Sequence, residues 1–208
     1  MDTDRHVEVL IVGAGVSGIG AACRLTRERP GTAYAILEQR AALGGTWDLF
    51  RYPGVRSDTD MFTYSYPFLP WDGTQAMGDG ADIRAYLQQA AREHDVERHI
   101  VFGTTALGAS WSSADARWTV RTDSDTGTWT GAFLLVCTGY YDYARGHEPE
   151  LPGREEFAGT VVHPQFWPAD LQLRDRRVVV IGSGATAVTI VPAIAREAAH
   201  VTMLQRSP

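Results

Sequence analysis

The sequence has few cysteines and lacks a long apolar run. Its only cysteines are Cys23 and Cys137, and their spacing fits neither a metal site nor a redox pair, so we expect two buried free thiols. No apolar segment approaches the roughly 20 residues that a membrane-spanning helix needs. The N-terminus also lacks the basic-then-apolar order of a signal peptide. These absences predict a cytoplasmic protein without a membrane span.

Positive charge is also scarce. The chain has 19 Lys and Arg residues against 25 Asp and Glu residues, which gives a formal net charge of -6. Charges of both signs are interspersed, without a basic stripe or an acidic tail, and this argues against a nucleic-acid partner. Apolar residues make up 44% of the 208 residues, which is enough to bury a core.

A strand, a glycine-rich turn and a helix are predicted at the start of the chain. An apolar run from Val7 leads into Gly13-Ala-Gly15-Val-Ser-Gly18, and a helical pattern follows. Gly13 permits the tight turn, Gly15 lets the backbone approach a pyrophosphate, and Gly18 lets the helix pack close to the strand. The pyrophosphate would bind at the helix N-terminus, where backbone N–H groups have no intrahelical partner. The pattern predicts a dinucleotide-binding unit.

An acidic residue follows this motif at the spacing that such a unit requires. Residues 32–37 form a second apolar run, and Glu38 comes directly after it. A carboxylate about 20 residues beyond the glycines binds the ribose hydroxyls of an adenosine. It favours FAD or NAD over NADP. The alternative is a parallel α/β unit with an unused turn.

A long segment rich in glycine, proline and aromatic residues occupies residues 39–79. Long ordered loops in compact domains are usually functional. Residues 44–47 read Gly-Gly-Thr-Trp, and adjacent glycines let the backbone pass close to a bulky planar ligand. A flavin disulfide reductase would have a redox cysteine near this point, so Trp47 excludes thiol chemistry. An aromatic cover over a core would not explain Arg56 and Asp58, since buried charges are costly unless paired.

The middle of the chain predicts one helix and several strands. Residues 83–91 repeat as an amphipathic helix with Asp82 as its N-cap. Short strands are expected at 99–102 and 104–107, and runs at 109–112, 117–121 and 129–130 predict a small antiparallel insertion. Residues 133–137 predict a buried parallel strand that ends before Thr138 and Gly139. Because ligands bind at the carboxyl ends of such strands, both residues should face the cofactor.

The glycine motif returns near the end of the chain. Residues 177–181 lead into Gly182-Ser-Gly184-Ala-Thr-Ala187, then a helical pattern and a strand at 201–204. We expect Pro192 to kink this helix. Here Gln205-Arg206 follows the second strand in place of a carboxylate, and an arginine accommodates a 2′-phosphate. The second site is therefore predicted to bind NADPH, with a solvated arginine at a strand end as the alternative.

These patterns together predict an α/β fold. Residues 1–145 would form a Rossmann-like FAD-binding domain with a small antiparallel β insertion. Residues 146–175 would be a linker, and residues 176–208 the beginning of a second Rossmann-like domain that binds NADPH. Two nucleotide sites of opposite ribose preference indicate a flavoprotein that NADPH reduces.

The predicted linker carries a longer motif, Phe157-x-Gly159-x-x-x-His163-x-x-x-Trp167-Pro168. This resembles the fingerprint of type I Baeyer-Villiger monooxygenases, within the flavin-containing monooxygenase superfamily. The related N- and S-oxygenating enzymes usually have Phe or Tyr in place of the Trp. The Gly-Gly-Thr-Trp segment and the second glycine motif further resemble the ethionamide-activating branch. The likeness covers essentially the whole chain.

The motifs and the resemblance together imply the following site residues. FAD would contact Gly13, Gly15, Ser17, Gly18, Glu38, Gly45, Thr46, Trp47, Asp58, Tyr64, Ala106, Thr138 and Gly139. NADPH would contact Gly182, Ser183, Gly184, Ala185, Thr186, Ala187, Val188, Thr189, Arg206 and Ser207, and flavin and nicotinamide would share a loop at Arg56, Ser57 and Asp58. Asp58 is similar to the acid that orients the family's active-site arginine. His163 would be a hinge or structural residue, or else an ordinary core histidine.

The resemblance also implies a reaction that the cofactors carry. NADPH passes a hydride to FAD, and the reduced flavin adds O₂ to give a C4a-peroxyflavin. This species inserts one oxygen atom into a ketone, or oxidises a sulfide or thioamide. The family's arginine follows the second motif at a distance that these 208 residues do not reach, so we expect the N-terminal part of a longer enzyme. The alternatives are an N- or S-oxygenating flavin monooxygenase, or a catalytically incomplete fragment that only binds FAD.

Overall fold

The computed structural model describes residues 5–123 and 127–206. The chain divides into two compact units, the first formed by residues 1–48 and 83–140, the second by residues 49–82 and 141–208. The aromatic segment at 49–82 therefore packs with the second unit, although we expected it within an FAD-binding domain ending at 145. The functional domain boundaries stay a prediction. In the described ranges no helix is long and apolar enough to cross a membrane.

A sheet of six strands forms the centre of the first unit. The strands are β1 (Arg5–Val12), β2 (Tyr34–Leu37), β3 (Ile100–Val101), β4 (Ala106–Ser112), β5 (Arg117–Thr122) and β6 (Thr128–Val136). Their spatial order is β3-β2-β1-β6-β5-β4. The first three and β6 run parallel, while β5 is antiparallel to β6 and β4 is antiparallel to β5. The predicted α/β class is confirmed, with an antiparallel pair at one edge.

Strand β6 differs from the sequence-based expectation. Residues 129–130 and 133–137 were expected in separate elements, whereas β6 is one strand that pairs with both β1 and β5. Gly131 lies inside it, and a Cβ there would come 3.2 Å from the side chain of Leu10. Glycine in a strand interior weakens the sequence signal for a strand. For this reason the apolar pattern predicted two elements where the structure has one. The antiparallel strands thus extend the parallel sheet.

Five α-helices accompany the strands in the described residues. They are α1 (Val16–Glu28), α2 (Thr46–Leu49), α3 (Met61–Tyr64), α4 (Gly80–Glu93) and α5 (Ala185–Ile194). Helices α1 and α4 contact each other where the Cys23 thiol donates to the Ala90 carbonyl at 3.6 Å. Helix α4 begins at Gly80, so the prediction of Asp82 as N-cap was wrong. Asp82 instead lies in the first turn, where a negative charge favours the helix dipole.

The second unit contains a parallel pair of strands, β7 (Arg177–Ile181) and β8 (His200–Leu204), connected through α5. Its core joins Phe50 and Tyr52 to Ile190 and Ile194 of α5. The Tyr52 hydroxyl lies 3.2 Å from the Thr189 hydroxyl. The segment that begins at residue 49 is therefore held on α5 by apolar packing and by a hydroxyl contact.

Helix α5 continues past Pro192. The proline has no N–H to donate to the carbonyl of Val188, and this normally interrupts a helix. Beyond it, the N–H of Ala195 donates to the carbonyl of Val191 at 3.0 Å, so helical hydrogen bonding resumes. The buried side chains of Ile190 and Ile194 lie on either side of the proline. Tertiary packing of this face can stabilise a helix that propensity alone would not.

Gly54→Ala should destabilise the second unit more than Gly153→Ala. Gly54 has φ +82, and a Cβ there would lie 2.5 Å from the Thr189 carbonyl oxygen and 2.7 Å from the Ala193 Cβ. Gly153 has a similar φ of +79, with no described heavy atom within 4 Å. Both changes carry left-handed backbone strain of about 1–2 kcal/mol, so the difference isolates overpacking, about 1–3 kcal/mol. Urea unfolding of both variants measures this difference, and equal losses would contradict it.

Candidate nucleotide-binding sites

The first glycine turn leaves no room for side chains at two of its positions. Gly13 has φ +102, and a Cβ there would lie 2.5 Å from the carbonyl oxygen of Cys137, just beyond β6. A Cβ on Gly18 would overlap the carbonyl oxygen of Gly13. Helix α1 can therefore begin close beneath β1 only with glycines at these positions. The spacing of the motif follows from steric contact within the unit.

The N-terminus of α1 has the character of an anion site. Gly15 is its N-cap and has no side chain that could cap the helix, and the first turn carries no acidic residue. Ser17 lies in this turn and is exposed. A first turn without acidic residues and the positive end of the helix dipole suit a phosphate group.

Glu38 lies against the glycine turn. Its side chain is 3% exposed, one carboxylate oxygen accepts from the Ala14 N–H at 2.7 Å, and the other accepts from the Arg40 N–H at 2.8 Å. The Gly13 N–H donates to the Leu37 carbonyl at 2.8 Å, which fixes the end of β2 beside the turn. A carboxylate has about four acceptor sites, so two remain for ribose hydroxyls.

The Gly-Gly-Thr-Trp segment, residues 44–47, lies on the same turn. The Gly44 N–H donates to the Ala14 carbonyl at 2.9 Å, and the Cα of Gly45 lies 3.6 Å from where a Gly15 Cβ would be. Two glycines thus face each other across the contact. Thr46 and Trp47 open α2, and both are partly buried.

The end of β6 completes this neighbourhood. The Cα of Thr138 lies 3.5 Å from the position of a Gly13 Cβ, while Gly139 has φ +68 and open space around it. Ala106 is partly buried against the cluster that contains Leu10 and Leu37. The first unit therefore brings most of the expected FAD residues to one end of its sheet: Gly13, Gly15, Ser17, Gly18, Glu38, Gly45, Thr46, Trp47, Thr138 and Gly139.

Four residues expected at the flavin belong to the second unit: Arg56, Ser57, Asp58 and Tyr64. The Ser57 hydroxyl is buried and accepts from the Gly78 N–H at 3.0 Å. Arg56 and Asp58 are exposed. The structure thus gives Ser57 a local role in holding its loop, and the predicted cofactor roles of these four residues stay predictions.

The second glycine turn repeats the geometry of the first. The Gly182 N–H donates to the Leu204 carbonyl at 2.8 Å, which matches the bond from Gly13 to Leu37. Gly182 has φ +122, and Gly184 is the N-cap of α5 without a side-chain cap bond. Arg206 follows β8 closely and is exposed. The predicted arginine therefore lies at the strand end that adjoins its own glycine turn.

The expected NADPH residues from Ser183 to Thr189, in the second glycine turn and the start of α5, differ in their exposure. Ser183, Gly184, Ala185 and Val188 are exposed and Thr186 is partly buried, whereas Ala187 and Thr189 are buried. The Thr189 hydroxyl donates to the carbonyls of Ala185 and Thr186, at 3.1 and 3.0 Å. A nucleotide contact from this hydroxyl would break those bonds. Ser207 lies outside the described residues.

The side chains of the linker motif pack against glycines and aromatic residues. A Cβ on Gly146 would overlap the His163 ring, and a Cβ on Gly159 would overlap the Phe157 ring. The His163 Nδ1 accepts from the Gln165 N–H at 3.2 Å. Trp167 packs on the core that contains Phe50 and Tyr52. These contacts agree with a structural role for His163.

The thiols show no sign of reactivity. Burial raises the pKa of Cys23 to about 12, and it also raises the pKa of Cys137. A thiol is nucleophilic only as the thiolate. Both cysteines are free, and Cys23 is buried as expected while Cys137 is only partly buried.

A charged cluster beside the Gly-Gly-Thr-Trp segment was not anticipated from the sequence. Asp48 is 8% exposed. It forms ion pairs with Arg40 at 2.6 Å and Arg84 at 3.4 Å. Arg40 lies 8 positions and Arg84 36 positions from Asp48, and the three residues follow no periodic pattern, so only the folded arrangement reveals the cluster.

Residues 6–208 match the family described as flavin-binding monooxygenase-like. The chain belongs to this family. The fingerprint in the linker and the two glycine motifs had predicted this membership, and it is confirmed.

Two curated relatives cover nearly all of the chain. MymA from Mycobacterium tuberculosis is 54% identical over 99% of this chain and 43% of its own length. The FAD-containing monooxygenase EthA from Mycolicibacterium smegmatis is 52% identical over 98% of this chain and 42% of its own length. The chain thus spans less than half the length of these relatives.

Solved structures share the fold. A steroid monooxygenase bound to NADP is 33% identical, with a TM-score of 0.84 over 97% of this chain and 39% of that chain. OTEMO in complex with FAD and NADP is 31% identical, with a TM-score of 0.82 over 97% of this chain and 39% of that chain. The Rossmann-like architecture predicted for both glycine motifs is therefore confirmed.

Proposed function

We propose that this chain provides the nucleotide-binding segments of an NADPH-dependent FAD monooxygenase. The enzyme inserts one oxygen atom from O₂ into ketones, or oxidises sulfides and thioamides. The proposed location is the cytoplasm, and no nucleic-acid partner is involved. Relatives named for FAD and structures solved with FAD and NADP support the choice of cofactors.

The main support for the proposal is that the two glycine turns have equivalent backbone geometry but are followed by side chains of opposite charge. In both, the first glycine N–H donates to the carbonyl that ends the neighbouring strand, at 2.8 Å. Glu38 follows that strand in the first turn and Arg206 in the second. A carboxylate accepts hydrogen bonds from ribose hydroxyls, whereas a guanidinium binds a 2′-phosphate. One chain therefore suits an unphosphorylated and a phosphorylated ribose.

The residues of the first unit fit FAD. The N-terminus of α1, which has a glycine N-cap and no acidic residue in its first turn, suits the pyrophosphate. Gly15 and Gly45 face each other without side chains, so the backbone on both sides can approach a ligand closely. When bound, the flavin would supply hydride acceptance and oxygen activation. The chain's own residues would bind the dinucleotide and hold it in place.

Asp58 is the one residue of this chain that we assign an electrostatic role in catalysis. It is exposed in the second unit and carries a carboxylate beside Arg56 and Ser57. We propose that it orients a cation at the reacting oxygen, as the family resemblance implies. Arg56 and Ser57 would contact flavin and nicotinamide from the same loop.

A second candidate function is oxygenation of nitrogen or sulfur by an enzyme of the same family. Trp167 disfavours this reading, because N- and S-oxygenating relatives usually carry Phe or Tyr there. The side chain packs against the core of the second unit, so its shape affects how the linker folds. A third candidate is a chain that binds FAD without turning over NADPH.

The proposed function is tested by flavin binding followed by NADPH oxidation. The purified protein is mixed with FAD, and retained flavin absorbance is measured after gel filtration. NADPH oxidation is then followed with a cyclic ketone, an aryl sulfide and a tertiary amine, and products are identified by mass. A lactone, or a sulfoxide without an N-oxide, supports the proposal. An N-oxide without a lactone supports the second candidate, and flavin retention without NADPH oxidation supports the third.

Arg206→Ala should weaken binding of NADP⁺ and leave binding of NAD⁺ nearly unchanged. Removing a charged hydrogen bond to phosphate costs about 1.5–3 kcal/mol, which corresponds to roughly a 10- to 100-fold higher Kd for NADP⁺. Calorimetric titration with both nucleotides measures the effect. Arg177→Ala, at the opposite end of β7 from the turn, is the matched control. Equal losses for the two nucleotides would contradict the assignment.

A further inference from the structure

The segment expected to lie nearest the flavin is a short turn that leads into α2. We call residues 44–47 the Gly-Gly turn. Within it the Trp47 N–H donates to the Gly44 carbonyl, and the Asp48 N–H donates to the Gly45 carbonyl, both at 3.1 Å. Glycine pairs are conformationally permissive. The orientation of the turn therefore also depends on contacts with residues outside it.

Asp48 supplies contacts of this kind. Its carboxylate is paired with Arg40 just after β2, at 2.6 Å, and with Arg84 in the first half of α4, at 3.4 Å. The same Arg40 nitrogen also approaches the backbone carbonyl of Asp48, at 3.4 Å. One side chain therefore connects the Gly-Gly turn to two separate elements of the first unit.

The backbone of the turn is in contact with this cluster. A Cβ on Gly44 would lie 3.1 Å from the Asp48 Cβ and 3.5 Å from the Arg84 Cγ. On its other side, the Gly44 N–H donates to the Ala14 carbonyl within the first glycine motif. Gly44 is thus enclosed between the charged cluster and the dinucleotide turn. A movement of Asp48 would reach the dinucleotide turn through Gly44.

We propose that Asp48 is a positioning residue of the flavin site, acting through Arg40 and Arg84 on the Gly-Gly turn. The inference rests on the proposed function, because it assumes that the turn takes the flavin. The arrangement has a physical basis, since a carboxylate that is nearly buried keeps its position only with its cations in place. Asp48 itself lies outside the set of expected cofactor contacts.

The test compares Asp48→Asn with Asp95→Asn. Asp95 also pairs with an arginine, Arg98, but both side chains are about two-thirds exposed, so its pair contributes little. Hydrogen exchange is measured at the amides of residues 44–48 and, as a reference, at those of β1. Asp48→Asn should speed exchange at 44–48 by about tenfold or more, with β1 unchanged. Asp95→Asn should change neither.

FAD affinity is measured on the same proteins by fluorescence quenching. Asp48→Asn should raise the Kd for FAD by about tenfold or more, and Arg40→Gln should have a larger effect than Arg84→Gln because its ion pair is shorter. If Asp48→Asn left exchange at residues 44–48 unchanged, or sped exchange in β1 equally, the positioning role would be overturned. If Asp48→Asn sped exchange at 44–48 but left FAD affinity unchanged, the link to the flavin would be overturned. If the unsubstituted protein fails to bind FAD, the proposed function fails while the exchange measurement still decides the role of Asp48.

Discussion

Gly18→Ala is expected to destabilise the first unit by about 3 kcal/mol or more. A Cβ at this position would overlap the Gly13 carbonyl oxygen and approach the Ile11 side chain at 3.4 Å. The obstructing atom belongs to the backbone of a tight turn, so no rotamer change relieves the contact. Helix α1 would have to move away from β1, and the buried face that contains Ile19 and Ala22 would move with it.

Urea unfolding followed by tryptophan fluorescence and circular dichroism measures the effect of Gly18→Ala. The control is Gly184→Ala, at the N-cap of α5, where φ is -76 and no described atom lies within 4 Å of the added Cβ. That substitution should cost about 1 kcal/mol at most. A Gly18→Ala protein as stable as the control would show that the turn has more room than the structure gives it.

Glu38→Gln should reduce both the stability of the first unit and its affinity for FAD. The carboxylate accepts from two backbone N–H groups, those of Ala14 and Arg40, and an amide offers only one acceptor oxygen. One buried N–H would then face an NH₂ group. The expected loss of stability is about 1–3 kcal/mol, and the Kd for FAD should rise by roughly tenfold or more because a hydrogen bond from ribose to a charged group is lost.

Glu28→Gln is the matched control for Glu38→Gln. Glu28 pairs with Arg24 one turn away on α1, and its side chain is 63% exposed, so its loss should cost less than about 0.5 kcal/mol. Thermal unfolding and FAD titration on both variants separate the two effects. If Glu38→Gln lowered stability without changing FAD affinity, Glu38 would have a structural role at the turn and no contact with the ribose.

Local sequence patterns predicted the two glycine turns and the acid and arginine that belong to them. Each depends on neighbours within one strand-turn-helix unit, where spacing determines geometry. Glu38 lies against its turn because β2 pairs in register with β1. The same reasoning placed Arg206 at the end of β8. Steric rules for glycine and the pairing of consecutive strands were sufficient for this part of the fold.

Contacts between distant segments could not be predicted in this way. Tyr52 and Thr189 are 137 positions apart, and no periodicity connects the segment around Tyr52 to α5. The ion pair between Asp48 and Arg84 likewise joins two residues that are 36 positions apart. Such contacts depend on how complete elements pack, whereas sequence patterns report the environment of single elements.

The pairing of β1 with β6 has a consequence for biosynthesis. Val12, at the end of the first strand, is in register with Val136, so the central strand gains its second neighbour only after the chain up to residue 136 has left the ribosome. Contacts between residues so far apart in the chain slow folding, because the intervening chain loses conformational entropy before the strand pairing contributes any stability. Until then, the apolar edge of β1 stays open to association with other nascent chains.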